Sequence, residues 1–174
     1  CVPDAMSLAK SLGGGLPLSA VLAGPRAASA LGLGEHGSTL GGNPVACAAG
    51  LAQLKALRGP GLLKNVRSVG ALLRDGLEAL RVKRPDLVLE VRGRGLMLGI
   101  RLSIPAKPMV LDCIKRGLIV NSTADTVIRL LPPLSLSPAE ARQGLAALSD
   151  VILGTAPRAV PLPQVPTRAP RKSL

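Results

Sequence analysis

The sequence predicts an α/β piece over residues 1–58 joined to a compact α+β unit over residues 59–153, with a proline- and arginine-rich tail at 154–174. Three observations predict this. An apolar run, a glycine-rich loop and a capped helix follow one another in the first part. In the second part a helical repeat of leucines gives way to alternation with period two. After Gly154 the periodicity stops, and prolines and arginines take over.

The elements follow in order. Residues 1–24 hold an Ala/Ser/Gly stretch around Lys10, then Ala20-Val21-Leu22-Ala23, a short buried strand. Residues 25–36 read as loop or broken helix, and 36–42 as a loop rich in donors. Asn43-Pro44 opens a helix, Asn as cap and Pro at the first helical position, and Gly59-Pro60-Gly61 stops it. Leu62, Val66, Val69, Leu73, Leu77 and Leu80 then recur at helical spacing until Pro85. Leu87, Leu89 and Val91 alternate, Gly93-Arg94-Gly95 turns the chain, and Leu96, Leu98, Ile100 and Leu102 share a face of the returning strand. A short helix at 108–116 ends at Gly117, and strands follow at 118–121 and 127–131. Ser137-Pro138-Ala139-Glu140 is a capping box that starts the last helix, which runs to about Leu153.

Composition narrows the function classes. The 174 residues include no Phe, Trp or Tyr, so base stacking and aromatic cages for quaternary ammonium are excluded, and nucleic acid is disfavoured as a partner. The 47% hydrophobic content is enough for an aliphatic core. Net charge is +12, of which four charges lie in the tail, leaving +8 scattered over the rest. No apolar run approaches the roughly 18 residues that cross a bilayer. Cys1, Cys47 and Cys113 are odd in number and far apart, which argues against a disulfide framework or a metal knuckle. They read as buried thiols in a reducing, cytoplasmic setting. Pro163-Gln164-Val165-Pro166 fits the PxxP pattern of SH3 ligands, although proline-rich ends are commonly just ends.

Three constellations can carry chemistry. Lys10 lies among small and apolar residues before Gly13-Gly14-Gly15. A lysine pressed into such surroundings loses ammonium solvation, which favours the nucleophilic free amine; on local composition alone an ordinary solvated lysine before a glycine-rich loop is the favoured reading. Ser38 and Thr39, with Gly41-Gly42-Asn43-Pro44, place hydroxyls and N–H groups before a helix N-terminus, which suits an anion or ordinary capping. Arg129 stands among aliphatics on a strand, placed for a carboxylate ligand or a structural ion pair. His36 is the one histidine and reads as a loop residue, and Asp4 as a cap or turn residue.

Together, Leu8-Ala9-Lys10, Leu12-Gly13-Gly14-Gly15, His36-Gly37-Ser38-Thr39, Gly41-Gly42-Asn43-Pro44, Val91-Arg92-Gly93-Arg94-Gly95-Leu96 and Ile128-Arg129-Leu130-Leu131-Pro132-Pro133 resemble the class III, pyridoxal-phosphate-dependent aminotransferases. Within that family the likeness is nearest to the acetylornithine branch, and it covers about residues 2–153. The resemblance implies the C-terminal portion of a fold-type I transferase, namely the edge of its large domain and its small domain. It implies that Lys10 is the catalytic lysine that bonds to pyridoxal 5'-phosphate. Thr39 matches a residue that contacts the cofactor phosphate across a homodimer interface, Ser38 a substrate contact, and Arg129 the arginine that pairs with a substrate carboxylate. The substrates implied are an amino acid and a 2-oxo acid, specifically N-acetylornithine and 2-oxoglutarate, and no metal is implied. Leu16 and Leu40 stand where the family usually has Phe. The family's N-terminal half, with its phosphate loop, ring-stacking aromatic and pyridine-facing aspartate, has no counterpart here, so the expectation is a truncated form. A sister enzyme for ornithine, succinylornithine or 4-aminobutyrate keeps the same motifs. A non-catalytic remnant or interaction module is the alternative from another class.

Overall fold

A computed structural model describes residues 1–156. These form two compact units, residues 1–63 and residues from Lys64 onward. The proline-rich motif at 163–166 lies outside the described residues.

In the first unit, β1 (Ala5–Leu8) pairs antiparallel with β2 (Ala20–Ala23), Leu8 opposite Ala20. A 3-10 turn, Lys10–Gly13, follows β1 directly. α1 (Pro25–Ala28) is one turn, and α2 (Pro44–Arg58) is the only long helix that lies wholly in this unit. Asn43 caps α2, its Oδ1 accepting the Ala46 N–H at 2.9 Å, as the Asn-Pro pair predicts. α2 lies close on the 3-10 turn: a Cβ on Gly50 would come within 2.6 Å of Leu18 Cδ2 and 3.4 Å of the Leu12 carbonyl oxygen. Only Ala46 among this unit's described apolar side chains is buried, while Val21 and Leu22 of β2 are 72% and 53% exposed. The run expected to be a buried strand is therefore a strand, but an exposed one. A lone two-stranded ribbon is marginal in water, so this unit carries a sheet fragment and no core of its own. β1 was not expected: Ala5-Met6-Ser7-Leu8 has no β-branched residue, and pairing with β2 holds it extended.

In the second unit, α3 (Leu62–Lys83), α4 (Lys107–Lys115) and α5 (Pro138–Gly154) pack on one face of a four-stranded antiparallel sheet. The strands are β3 (Val88–Arg94), β4 (Met97–Leu102), β5 (Asn121–Thr123) and β6 (Val127–Leu130), in the order β3-β4-β6-β5. Leu73 and Leu77 of α3, Leu98 and Ile100 of β4, Ile128 of β6, Met109 of α4 and Leu148 of α5 meet in one aliphatic core. The opposite face carries Glu90, Arg92, Arg101, Asn121, Thr123 and Arg129.

Three details depart from the sequence expectations. Arg94 pairs with Met97, so the hairpin turns at Gly95-Leu96 and β3 runs through Gly93. A bulge between Val88 and Glu90 puts Val88 rather than Leu89 into the core. β5 begins at Asn121, because Leu118 and Val120 pack against the core before pairing starts. Of the cysteines only Cys113 is buried; Cys47 is half-buried and Cys1 exposed. Burial, with Asp112 beside it, pushes the Cys113 thiol up.

Arg84 ties the end of α3 to the end of α5. Its Nη1 donates to the carbonyls of Ile152 at 2.8 Å and Thr155 at 2.9 Å, and its Nη2 pairs with Asp86 at 2.9 Å. The carbonyls at a helix C-terminus lack full intrahelical pairing, so the guanidinium supplies strong donors there beside the long 3.4 Å bond from the Thr155 N–H to the Ile152 carbonyl. Arg84→Met keeps the aliphatic stem and is expected to cost about 2 kcal/mol. The hydrogen bond from Arg84 holds the Asp86 carboxyl below its ordinary range. The stability this pair contributes is therefore complete above that range and is lost as pH falls through the lowered value. Melting temperatures at neutral and acidic pH check both points: Arg84→Met should melt lower at neutral pH and show a shallower acid-side decline than the unmodified chain.

Candidate active site

Lys10 opens the 3-10 turn immediately after β1, with φ at 62°. A non-glycine residue in the left-handed region is held there by its surroundings at a conformational cost. Here the surroundings are the paired strand on one side and α2 on the other. Gly14 and Gly15, at φ 61° and 113°, carry the chain out of the turn where a side chain would be strained.

Lys10 looks onto an open cleft of about 440 Å³, lined also by Ala9, Leu18, Ser19, Ser38, Leu40, Gly41 and Gly42. The amine forms no hydrogen bond or ion pair among the described residues, and the side chain is exposed. The expected desolvation of Lys10 is thus not supplied by this unit, because the side chains around the cleft are small or, as with Leu40 and Pro17, exposed themselves, and only Leu18 is half-buried. Ser38 lies on the same cleft, with its Oγ accepting the Gly41 N–H at 3.0 Å. That bond uses the hydroxyl as acceptor and leaves its proton free to donate. Gly41 is needed there, since a Cβ would fall 2.9 Å from Ser38 Oγ. Thr39, the neighbouring candidate, is exposed and does not line the cleft. His36 is an exposed loop residue, and Asp4 pairs with Arg26 at 3.5 Å on the surface.

The donor set fits pyridoxal phosphate in part. The free amine suits its aldehyde, and the Ser38 hydroxyl with glycine backbone at Gly41 and Gly42 suits a phosphate. A ring-stacking aromatic cannot come from this chain, which contains none. No cluster of three or more metal-ligating side chains occurs among the described residues.

Arg129 lies in the second unit, on β6, with its side chain on the face away from the core. Its Nε donates to Asn121 Oδ1 at 3.2 Å. It pairs with no carboxylate among the described residues, because Glu90 on the same face is taken by Arg101 at 3.1 Å and Arg92 at 3.5 Å. The structural ion pair that would have made Arg129 an ordinary strand residue is therefore not formed. Asn121 was not singled out from the sequence; an amide after the apolar Leu118-Ile119-Val120 run was the available signal.

The motif likeness is matched by comparison with known proteins. Residues 1–152 match the family described as aminotransferase class-III. Acetylornithine aminotransferase 1 of Bordetella pertussis is 48% identical over 150 residues, which is 86% of this chain and 38% of that protein. Acetylornithine aminotransferase of Streptomyces coelicolor is 47% identical over 152 residues, 87% of this chain and 37% of that protein. Among solved structures, acetylornithine aminotransferase from Elizabethkingia anophelis aligns with a TM-score of 0.79 at 34% identity, over 88% of this chain and 39% of its own. Ornithine aminotransferase PY00104 from Plasmodium yoelii aligns at 0.80 and 31%, over 88% of this chain and 41% of its own. The chain spans less than half the length of the curated relatives it matches.

Proposed function

Because the chain belongs to the class-III aminotransferase family, whose members depend on pyridoxal phosphate, we propose that it is the lysine-bearing C-terminal portion of an enzyme that moves an amino group from N-acetylornithine to 2-oxoglutarate. The observation that carries this is Lys10: a lysine held at positive φ, its amine without a partner among the described residues, facing a cleft that offers the Ser38 hydroxyl and glycine backbone. Relatives named acetylornithine aminotransferase at 42–48% identity support the choice of amino donor.

When bound, pyridoxal phosphate supplies an electron sink that makes a substrate Cα–H acidic. The chain's own residues do the rest. Lys10 Nζ would hold the cofactor through its aldehyde carbon, with loss of water, and as a free amine would hold and move a proton at Nζ. Ser38 would donate its free hydroxyl proton to substrate, and the Thr39 hydroxyl would help hold the cofactor phosphate from the partner protomer of a homodimer. Arg129, paired with no carboxylate among the described residues, pairs two-pronged with a substrate carboxylate and fixes the substrate's position.

Donor profiling tests the reading. Amino transfer to 2-oxoglutarate is measured with N-acetylornithine, ornithine, succinylornithine and 4-aminobutyrate in turn, using the chain together with any in-frame upstream segment of its gene. N-acetylornithine should give the highest kcat/KM. A higher value for any other donor overturns the substrate assignment, and no transfer with any donor favours a non-catalytic role.

A further inference from the structure

Arg129 and Asn121 face each other directly in the β5–β6 ladder. A guanidinium offers one Nε–H and two Nη groups. The bond from Nε to Asn121 Oδ1 spends the first and leaves both Nη groups for a ligand. It also fixes the plane of the fork, which two-point carboxylate pairing requires. The acceptor is a neutral amide. An aspartate at this place would hold the fork equally but cancel its charge.

The ground around Arg129 is cleared for an anion. Across the ladder on the other side lies Gly99, which puts no side chain beside the guanidinium. Beyond Gly99, in register, lies Arg92. Arg92, Arg94 and Arg129 line one open cleft with Gly99, Thr123 and the apolar Met97, Leu98 and Val127; among the described residues no acidic side chain lines it, and Glu90 beside it pairs with Arg92 at 3.5 Å.

We propose that Asn121 is a positioning residue that presents the Arg129 guanidinium, edge outward and held by a neutral partner, to a substrate carboxylate. This rests on the reading of Arg129 given above. Asn121 is exposed on the edge strand β5, so its replacement removes a tether and not a piece of the core.

The test uses the ¹⁵N-labelled chain and 2-oxoglutarate as probe. The Arg129 Nε–H resonance, assigned by its loss in Arg129→Lys, should be sharp in the unmodified chain, broadened by exchange in Asn121→Ala, and kept in Asn121→Asp. Calorimetric affinity for 2-oxoglutarate should fall about fivefold in Asn121→Ala. It should also fall in Asn121→Asp despite the kept resonance, because the new charge competes with the ligand. Unchanged affinity in Asn121→Ala, with binding abolished by Arg129→Ala, overturns the role of Asn121 and leaves Arg129 standing. Affinity unaffected by Arg129→Ala, or no binding by the unmodified chain, overturns the reading of Arg129 and this proposal with it. Should Asn121→Ala fail to fold, Asn121→Asp decides: a kept resonance with weakened binding supports the proposal, and undiminished binding overturns it.

Discussion

Lys10→Ala is expected to reduce site-specific capture of pyridoxal phosphate to the background shown by surface lysines. Any exposed amine condenses reversibly with an aldehyde, so exposure alone does not distinguish Lys10 from Lys55, Lys64 or Lys115. What distinguishes it is its place. Backbone at φ 62° fixes its direction, and a cleft with the Ser38 hydroxyl and the Gly41-Gly42 backbone lies in front of it to hold a phosphate. A phosphate held nearby raises the effective concentration of the aldehyde at this one amine. The measurement is a visible absorbance band on mixing the chain with the cofactor, then borohydride reduction and peptide mass mapping. The adduct should map to Lys10 in the unmodified chain, and the band should vanish in Lys10→Ala. Lys10→Arg keeps the positive charge without a condensing amine and should behave like Lys10→Ala. A band of equal strength in either variant, or an adduct spread evenly over other lysines, removes Lys10 from the catalytic role.

The parts of the fold that sequence displayed are those set by local chemistry. Asn43-Pro44 predicts the start of α2, and Ser137 with Glu140 forms both bonds of its capping box, of which the Ser137 N–H donating to the Glu140 carboxylate holds that carboxyl low. Leu73, Leu77 and Leu80 are buried as their spacing predicts. The misplaced features depend on register, which no local residue announces. The bulge at Val88–Glu90, the turn at Gly95-Leu96 and the start of β5 are fixed by partners elsewhere in the chain. The site divides in the same way. Lys10, Ser38 and Arg129 stand out by type, and the structure puts Lys10 and Ser38 on one cleft. Asn121 is invisible as a partner of Arg129 until the β5–β6 ladder is known. Thr39 does not line the Lys10 cleft, although its neighbours Ser38 and Leu40 do.

Gly93→Ala should destabilise the second unit by about 3 kcal/mol or more, lowering its melting temperature by roughly 15 °C. Gly93 lies inside β3 at φ 131°, a conformation essentially confined to glycine. A Cβ there would run into the Met97 carbonyl oxygen and come within 2.8 Å of Leu98 Cα, both backbone atoms of the paired strand. Neither can move without breaking the ladder, and the Gly93 carbonyl also accepts a hydrogen bond from Arg74 of α3. Gly99→Ala is the control. It is also a glycine inside the sheet, but a Cβ on it meets Val127 Cγ1 at 3.4 Å and Arg92 Cγ at 3.7 Å, ordinary contacts. Its cost should stay below about 1 kcal/mol. The pair also separates the two hairpin registers. With the turn at Gly93-Arg94-Gly95, position 93 would sit outside the ladder and alanine would cost only the roughly 1 kcal/mol of a turn glycine. With the turn at Gly95-Leu96, the added methyl is driven into the partner strand. Thermal unfolding of the two variants decides between them, and a Gly93→Ala chain that melts alongside Gly99→Ala would show the observed register to be wrong.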